Sequence, residues 1–281
     1  MLKAFYGLTR IGGSKEFDSG AGAGAGVARH RRVTVETHWH RRCELRQAGA
    51  VDDLGVRLVR EHTILSVVVG SRAYGLAIEG SDVDRRGVFV APTPLFWHFD
   101  KPPTHVDGPG PERFSWEVER FCGLALDANP TVLECLWSPL VEQVTDVGRE
   151  LLELRDGFLS RHAHRTFLRY ADSQFRRLGA DLRTRGEPRW KHVMHLLRLL
   201  ISGRHLVEHG VPLVDVGDYR DRLLAVRRGE LGWAEIMEWR SALTAELGAA
   251  LTRSPLPAEP DRRAVEDFLI SVRRRYVEVD G

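Results

Sequence analysis

Asp82 and Asp84 stand one residue apart in SDVDRRGVFV, and a gap of ten residues separates them from Gly70-Ser71, where an apolar run ends. On a strand, positions i and i+2 share a face. Two carboxylates so placed repel each other, and a shared divalent cation is the natural neutraliser. Glycine allows a sharp turn and a close approach of ligand to backbone. Ser71 and the amides after it can offer donors to phosphate oxygens. Magnesium favours a few carboxylates together with substrate phosphates, and this stretch supplies groups for both. Either half alone is weak evidence, since a lone Asp-x-Asp is often turn or surface chemistry.

The surrounding elements must bring these groups together. TILSVVVG (63–70) reads as a buried strand rich in β-branched residues. VDRRGVFVAP (83–92) reads as a second strand, stopped by Pro92 and Pro94. A loop rich in proline and glycine follows. ERFSWEV (112–118) reads as a third strand that runs into a helix, ERFCGLALDA. Another helix begins near residue 130, capped either by Asn129 with Pro130 at its first position or by a Thr131–Glu134 capping box. VDDLGVRLVREH, from residue 51, has the apolar side of an amphipathic helix.

From about residue 148 the apolar period is helical to the end. In RWKHVMHLLRLLISGRH, the residues Lys191, His195, Arg198, Ser202 and His205 form one polar stripe at steps of three and four. Trp190, Met194, Leu197 and Ile201 form an apolar stripe beside it. The expected organisation is a poorly patterned, flexible segment (1–50) containing the run SGAGAGAG, a catalytic domain (51–147) and an α-helical domain (148–281).

A length of 281 residues suits one large domain or two small ones. No apolar run approaches the roughly 18 residues of a membrane span, and the first residues lack a secretory apolar region. Cys43, Cys122 and Cys135 follow no metal-site spacing, so a reduced, cytoplasmic setting is expected. His38, His40 and Cys43 lack a fourth ligand at a useful distance along the chain. Net charge is only +2, but residues 151–228 hold 16 Lys and Arg against 9 Asp and Glu. That excess would suit an anionic partner such as a nucleotide or RNA; a solvated basic surface is the plainer explanation.

The combination of strand, Gly-Ser, spacer and Asp-x-Asp entering a second strand resembles the nucleotidyltransferase superfamily that includes DNA polymerase β. GSRAYGLAIEGSDVDRRGVFV, ERFCGLALDANPTVLECLWSP and WKHVMHLLRLL are similar to one branch, which contains the phage RNA-ligase-associated nucleotidyltransferase. The likeness spans roughly residues 64–212. It implies an α+β fold: a small mixed β-sheet, palm-like nucleotidyltransferase domain followed by an α-helical C-terminal domain. Arg85, Arg86 and Gly87 agree with the branch.

The resemblance also implies roles. Gly70 and Ser71 would cradle the triphosphate of an NTP such as ATP. Asp82 and Asp84 would hold Mg²⁺ or Mn²⁺. The third carboxylate should lie on the strand before the ERFCGLAL helix; Glu117 is the expected residue and Glu119 its competitor. Arg72, Lys191, His195 and Arg198 are expected near nucleotide or acceptor phosphate, while Tyr74 is expected to pack. Capping is sufficient to explain Asn129, Pro130, Thr131 and Glu134. The activity implied is metal-dependent transfer of a nucleoside monophosphate from an NTP, with RNA the favoured acceptor, a small molecule or protein remaining open, and no membrane partner. Two alternatives compete: a catalytically inactive RNA-binding or antitoxin-like protein of the same fold, and an Asp-x-Asp glycosyltransferase. The second would need a larger parallel sheet ahead of the motif.

Overall fold

A computed structural model describes residues 54–186 and 188–277. The 1–50 segment, including His38, His40 and Cys43, lies outside the described residues. A helix, α1 (54–62), leads directly into β1 (Thr63–Val69). β2 (Asp84–Phe89), β3 (His105–Asp107), β4 (Arg113–Glu117) and β5 (Val141–Val144) complete a sheet of order β3-β4-β2-β1-β5. β1 is antiparallel to β2 and β5, β3 is antiparallel to β4, and β2 is parallel to β4. The fold is thus α+β with a mixed sheet, as the resemblance implied. The short strands β3 and β5 were not expected, because HVD and VEQV lack an apolar run.

Alternation sorts the strand residues between the two faces. Val67, Val69, Val88 and Trp116 enter a large core together with Phe121, Phe158 and Phe167. On the opposite face Phe89 packs with Leu58, Ala91 and Val106. β2 and β4 come close at Gly87, where a Cβ would lie 2.6 Å from Ser115 Oγ; glycine relieves that clash.

Helices α2 (Val118–Leu126), α3 (Pro130–Leu136) and α4 (Asp146–Glu153) follow the strands. α3 starts as an Asn-capped helix: the Asn129 side chain accepts from the amides of Thr131 and Val132, with Pro130 at the first position. Glu134 is therefore free for another task. Then come α5 (His162–Arg185), α6 (Trp190–His209), α7 (Arg220–Arg228), α8 (Trp233–Ala250) and α9 (Arg262–Arg275). α7 escaped the sequence reading because YRDRLLAVRRG is short and crowded with charge.

The cores do not divide at residue 147. The described residues belong to one compact unit. The sheet core takes in α2, α3, α4, the start of α5 and, from the far end of the chain, Val265, Phe268 and Val272 of α9. The second core is built from the later part of α5 with α6, α7 and α8, yet it also holds Ala73, Tyr74 and Leu76 from the turn after β1. The expected pair of domains is thus interlocked: each contributes side chains to the interior of the other.

α9 is tied to the sheet by a buried ion pair. The Arg273 guanidinium donates to both oxygens of Glu117, at 2.8 and 2.9 Å, and its backbone carbonyl accepts from Thr93 Oγ1. Removing one partner of such a pair strands a buried charge. Arg273→Ala is expected to lower unfolding free energy by about 3 kcal/mol. Urea denaturation is the check, and a loss below about 0.5 kcal/mol would show that the pair does not anchor α9.

Candidate functional site

At the end of β1 the backbone turns at Gly70, whose φ is +74°. Register places Val69 opposite Asp84, so the turn meets the first residue of β2. A Cβ on Gly70 would lie 2.3 Å from Asp84 Oδ2. The Asp84 carboxylate therefore rests against bare backbone, and the two halves of the motif are in contact.

Tyr74 N donates to Gly70 O and Leu76 N to Ser71 O, which curls residues 70–76 into a compact turn. Among the described residues, the amides of Ser71, Arg72 and Ala73 have no protein acceptor. Arg72 donates to Ser81 O and pins the connecting loop. The helical part holds the turn from behind: Val216 N donates to Tyr74 O, Arg220 Nε to Gly75 O and Arg227 to Leu76 O.

Asp84 is half-buried. Burial pushes its carboxyl above the ordinary range; Arg86 opposes that, and Glu112 raises it further by charge and by a hydrogen bond between the two side chains. Arg86 lies 3.9 Å from Asp84 Oδ1, too far for a hydrogen bond. Asp84 Oδ1 and Arg86 Nε are both buried without a hydrogen-bond partner. Two adjoining carboxylates and an unsatisfied buried oxygen are a costly combination. This donor set fits a divalent cation: hard oxygen ligands, excess negative charge and one oxygen left over.

The carboxylate level with Asp84 is Glu112; Glu117, the residue expected there, is not near it. β4 runs parallel to β2, with Arg85 opposite Arg113 and Phe89 opposite Glu117. Glu117 therefore lies at the other end of the strand, roughly 15 Å away at about 3.3 Å per residue. It is 3% exposed, engaged by Arg273, and caps α2 by accepting from Glu119 N. Glu119 lies at that same end and also pairs with Arg273. Glu112, one residue before β4, is level with Asp84, and its carbonyl accepts from Arg85 N at 2.8 Å. Asp82 lies outside β2 and is exposed, so strand alternation does not align it with Asp84. Among the described residues no three acidic, His or Cys side chains converge tightly enough to hold an ion without further ligands.

The polar stripe of α6 runs from the site into the core. Lys191, exposed in the first turn, is near enough for its charge to lower the Asp84 carboxyl. His195 is partly buried with its ring edge-on to Tyr74, and burial, Arg198 and Lys191 bring it down to about 3. Arg198 is a correction: it is 6% exposed, bonded to Glu134 Oε1 at 2.6 Å, with its guanidinium 3.8 Å from the Tyr74 ring centroid. Tyr74 in turn donates its hydroxyl to Glu134 Oε2. Arg198 is thus consumed by a buried network and does not face a ligand. Tyr74 packs, as expected, but Glu134 is no cap; it is the acceptor that joins the glycine turn to α6.

A mixed sheet closed by a helical body is the fold of a polymerase-β-type nucleotidyltransferase. The chain belongs to the RNA repair pathway DNA polymerase beta family, RlaP, whose family model matches residues 46–271. A search of curated proteins found no match. No helix among the described residues is long and apolar enough to cross a membrane.

Two measurements test this geometry. Gly70→Ala forces a Cβ into Asp84 at positive φ, so catalytic activity should fall by more than about tenfold while the fold survives; retained activity would separate the turn from the carboxylate. His195, with its folded value depressed, supplies stability that is complete above its unfolded value near 6.5 and lost as pH falls toward about 3. Wild type should therefore lose about 1–2 kcal/mol between pH 7 and 5 that His195→Gln does not lose. Parallel denaturation curves at the two pH values decide this.

Proposed function

We propose that this protein transfers a nucleoside monophosphate from an NTP to a hydroxyl of an RNA acceptor, with release of pyrophosphate. The observation that carries the reading is the Asp84 carboxylate, held between the Gly70 turn and Glu112 with one oxygen unsatisfied. The family's place in RNA repair supports RNA as the acceptor.

The residues take the following parts. The amides of Ser71, Arg72 and Ala73 receive phosphate oxygens, as turn amides do in other phosphate sites. Lys191 neutralises triphosphate charge from the start of α6, where the helix dipole also favours an anion. Asp84 and Glu112, joined by Asp82 from the exposed side of the motif, are the residues that would hold Mg²⁺ or Mn²⁺. When bound, the cation supplies charge neutralisation at the phosphates and lowers the pKa of a coordinated hydroxyl. The acceptor oxygen attacks the α-phosphorus, the bond to the bridging oxygen breaks, and pyrophosphate carries away the electron pair. The acceptor's proton passes to a carboxylate of the Asp84–Glu112 pair. Neutral His195 stays outside this proton transfer and adds no charge to the pocket.

The experiment is incubation with each α-labelled NTP, Mg²⁺, and separate pools of RNA, protein and small molecules. Label is expected in RNA. Asp84→Asn and Glu112→Gln should each cost at least ~100-fold in transfer and raise the Mg²⁺ needed for half-maximal rate. Glu117→Gln should lower stability while leaving that Mg²⁺ requirement within about threefold. Label in another pool would reassign the acceptor; no label in any pool would remove the transferase reading. A changed Mg²⁺ requirement in Glu117→Gln with none in Glu112→Gln would reverse the third-carboxylate assignment.

A further inference from the structure

The opposite face of the sheet carries an arginine-lined groove that the transferase reading does not use. Arg60, Arg85 and Arg113 line a groove of about 240 Å³, together with Ser66, Ser115 and Gln143. Among the described residues, no carboxylate lines it. Glu142, beyond its lining, holds Arg85 at 2.8 Å. Arg60 and Arg113 are exposed. Guanidinium groups with hydroxyl and amide donors are the elements with which proteins hold a nucleic acid backbone. The volume falls below the roughly 300 Å³ at which small-molecule pockets begin, so it suits part of a sugar–phosphate chain better than an enclosed nucleotide.

Its position relates it to the reaction. Arg85 and Arg113 are paired across β2 and β4, and each directly follows a carboxylate of the site, Asp84 and Glu112. Successive residues of a strand point to opposite faces. The groove therefore backs onto the carboxylates across the thickness of one sheet, at the end where both strands begin.

We infer that this arginine groove binds the phosphate backbone of the acceptor RNA next to the end that reacts. The inference rests on the transferase reading for its purpose but not for its binding test. Arg60 and Arg113 lie outside the site's carboxylates and phosphate turn, so Arg60→Glu/Arg113→Glu addresses the groove alone. Fluorescence anisotropy with a labelled single-stranded RNA is expected to show at least a tenfold loss of affinity. The slope of log affinity against log salt should shrink by about 1–2. ATP affinity, measured on the same protein, should stay within about twofold.

Unchanged RNA affinity with intact ATP binding would overturn the groove. A loss of ATP affinity with RNA binding unchanged would overturn it too, by assigning the groove to the nucleotide. Because the readout is binding, it is separable from catalysis. If Asp84→Asn abolishes transfer while the double variant binds RNA normally, the groove alone fails. If the double variant loses RNA but wild type labels no pool, the transferase reading alone fails. A circular-dichroism melt within about 3 °C of wild type is the condition under which the double variant is scored; Arg60→Gln/Arg113→Gln, which adds no repulsion, should give the same ordering with a smaller loss.

Discussion

The position of the Gly70 turn depends on one buried interaction, in which the Glu134 carboxylate receives Arg198 on one oxygen and the Tyr74 hydroxyl on the other. These three side chains come from α3, α6 and the turn after β1. Arg198 also lies flat against the Tyr74 ring. A buried carboxylate is tolerated only with its charge met and its lone pairs occupied, and here both conditions are satisfied at once. The turn is therefore fixed in the helical interior and cannot drift with the sheet edge. Since Gly70 sits four residues before Tyr74, the same network sets where the backbone presents itself to Asp84.

Opposite this satisfied carboxylate stands an unsatisfied one. Glu134 is neutralised inside the fold, whereas Asp84 is crowded by Glu112 and left with a bare oxygen. The two are chemically alike but energetically opposed. One spends its capacity for hydrogen bonding on architecture. The other retains it at the cost of stability, as groups reserved for a ligand do. Arg86 illustrates the compromise: it lowers the Asp84 carboxyl by charge at 3.9 Å without closing the hydrogen bond that would silence it.

The pattern along the chain revealed β1, β2, β4 and the long helices because each carries a regular apolar period. It also revealed Gly70 and Asp84, whose neighbourhood in space follows from the local order of strand, turn and strand. Glu112 was hidden by direction. A strand read as ERFSWEV has an acid at either end, and only its parallel alignment with β2 decides which end meets Asp84. That alignment depends on the intervening β3, three residues too short to show a period. Arg198 was misread for a related reason. A polar stripe on a helix tells which residues share a face but not where along the helix the face passes from solvent to core. The partner that buries it, Glu134, lies 64 positions away, and its helix-start context supplied an adequate local explanation.

The return of α9 to the sheet has a consequence for how this chain is made. Val265, Phe268 and Val272 belong to the same apolar cluster as Ile64, Leu65 and Val67 of the first strand. During synthesis the sheet therefore waits, with part of its hydrophobic surface uncovered, until some two hundred further residues have emerged. Contacts this distant in sequence carry a large loop-closure cost and slow the search for the native state. An exposed β-branched strand is a hazard in that interval. The helices of the second core, whose contacts are closer in sequence, can assemble meanwhile around Tyr74 and Leu76, so the turn after β1 is seated before the sheet beside it is sealed.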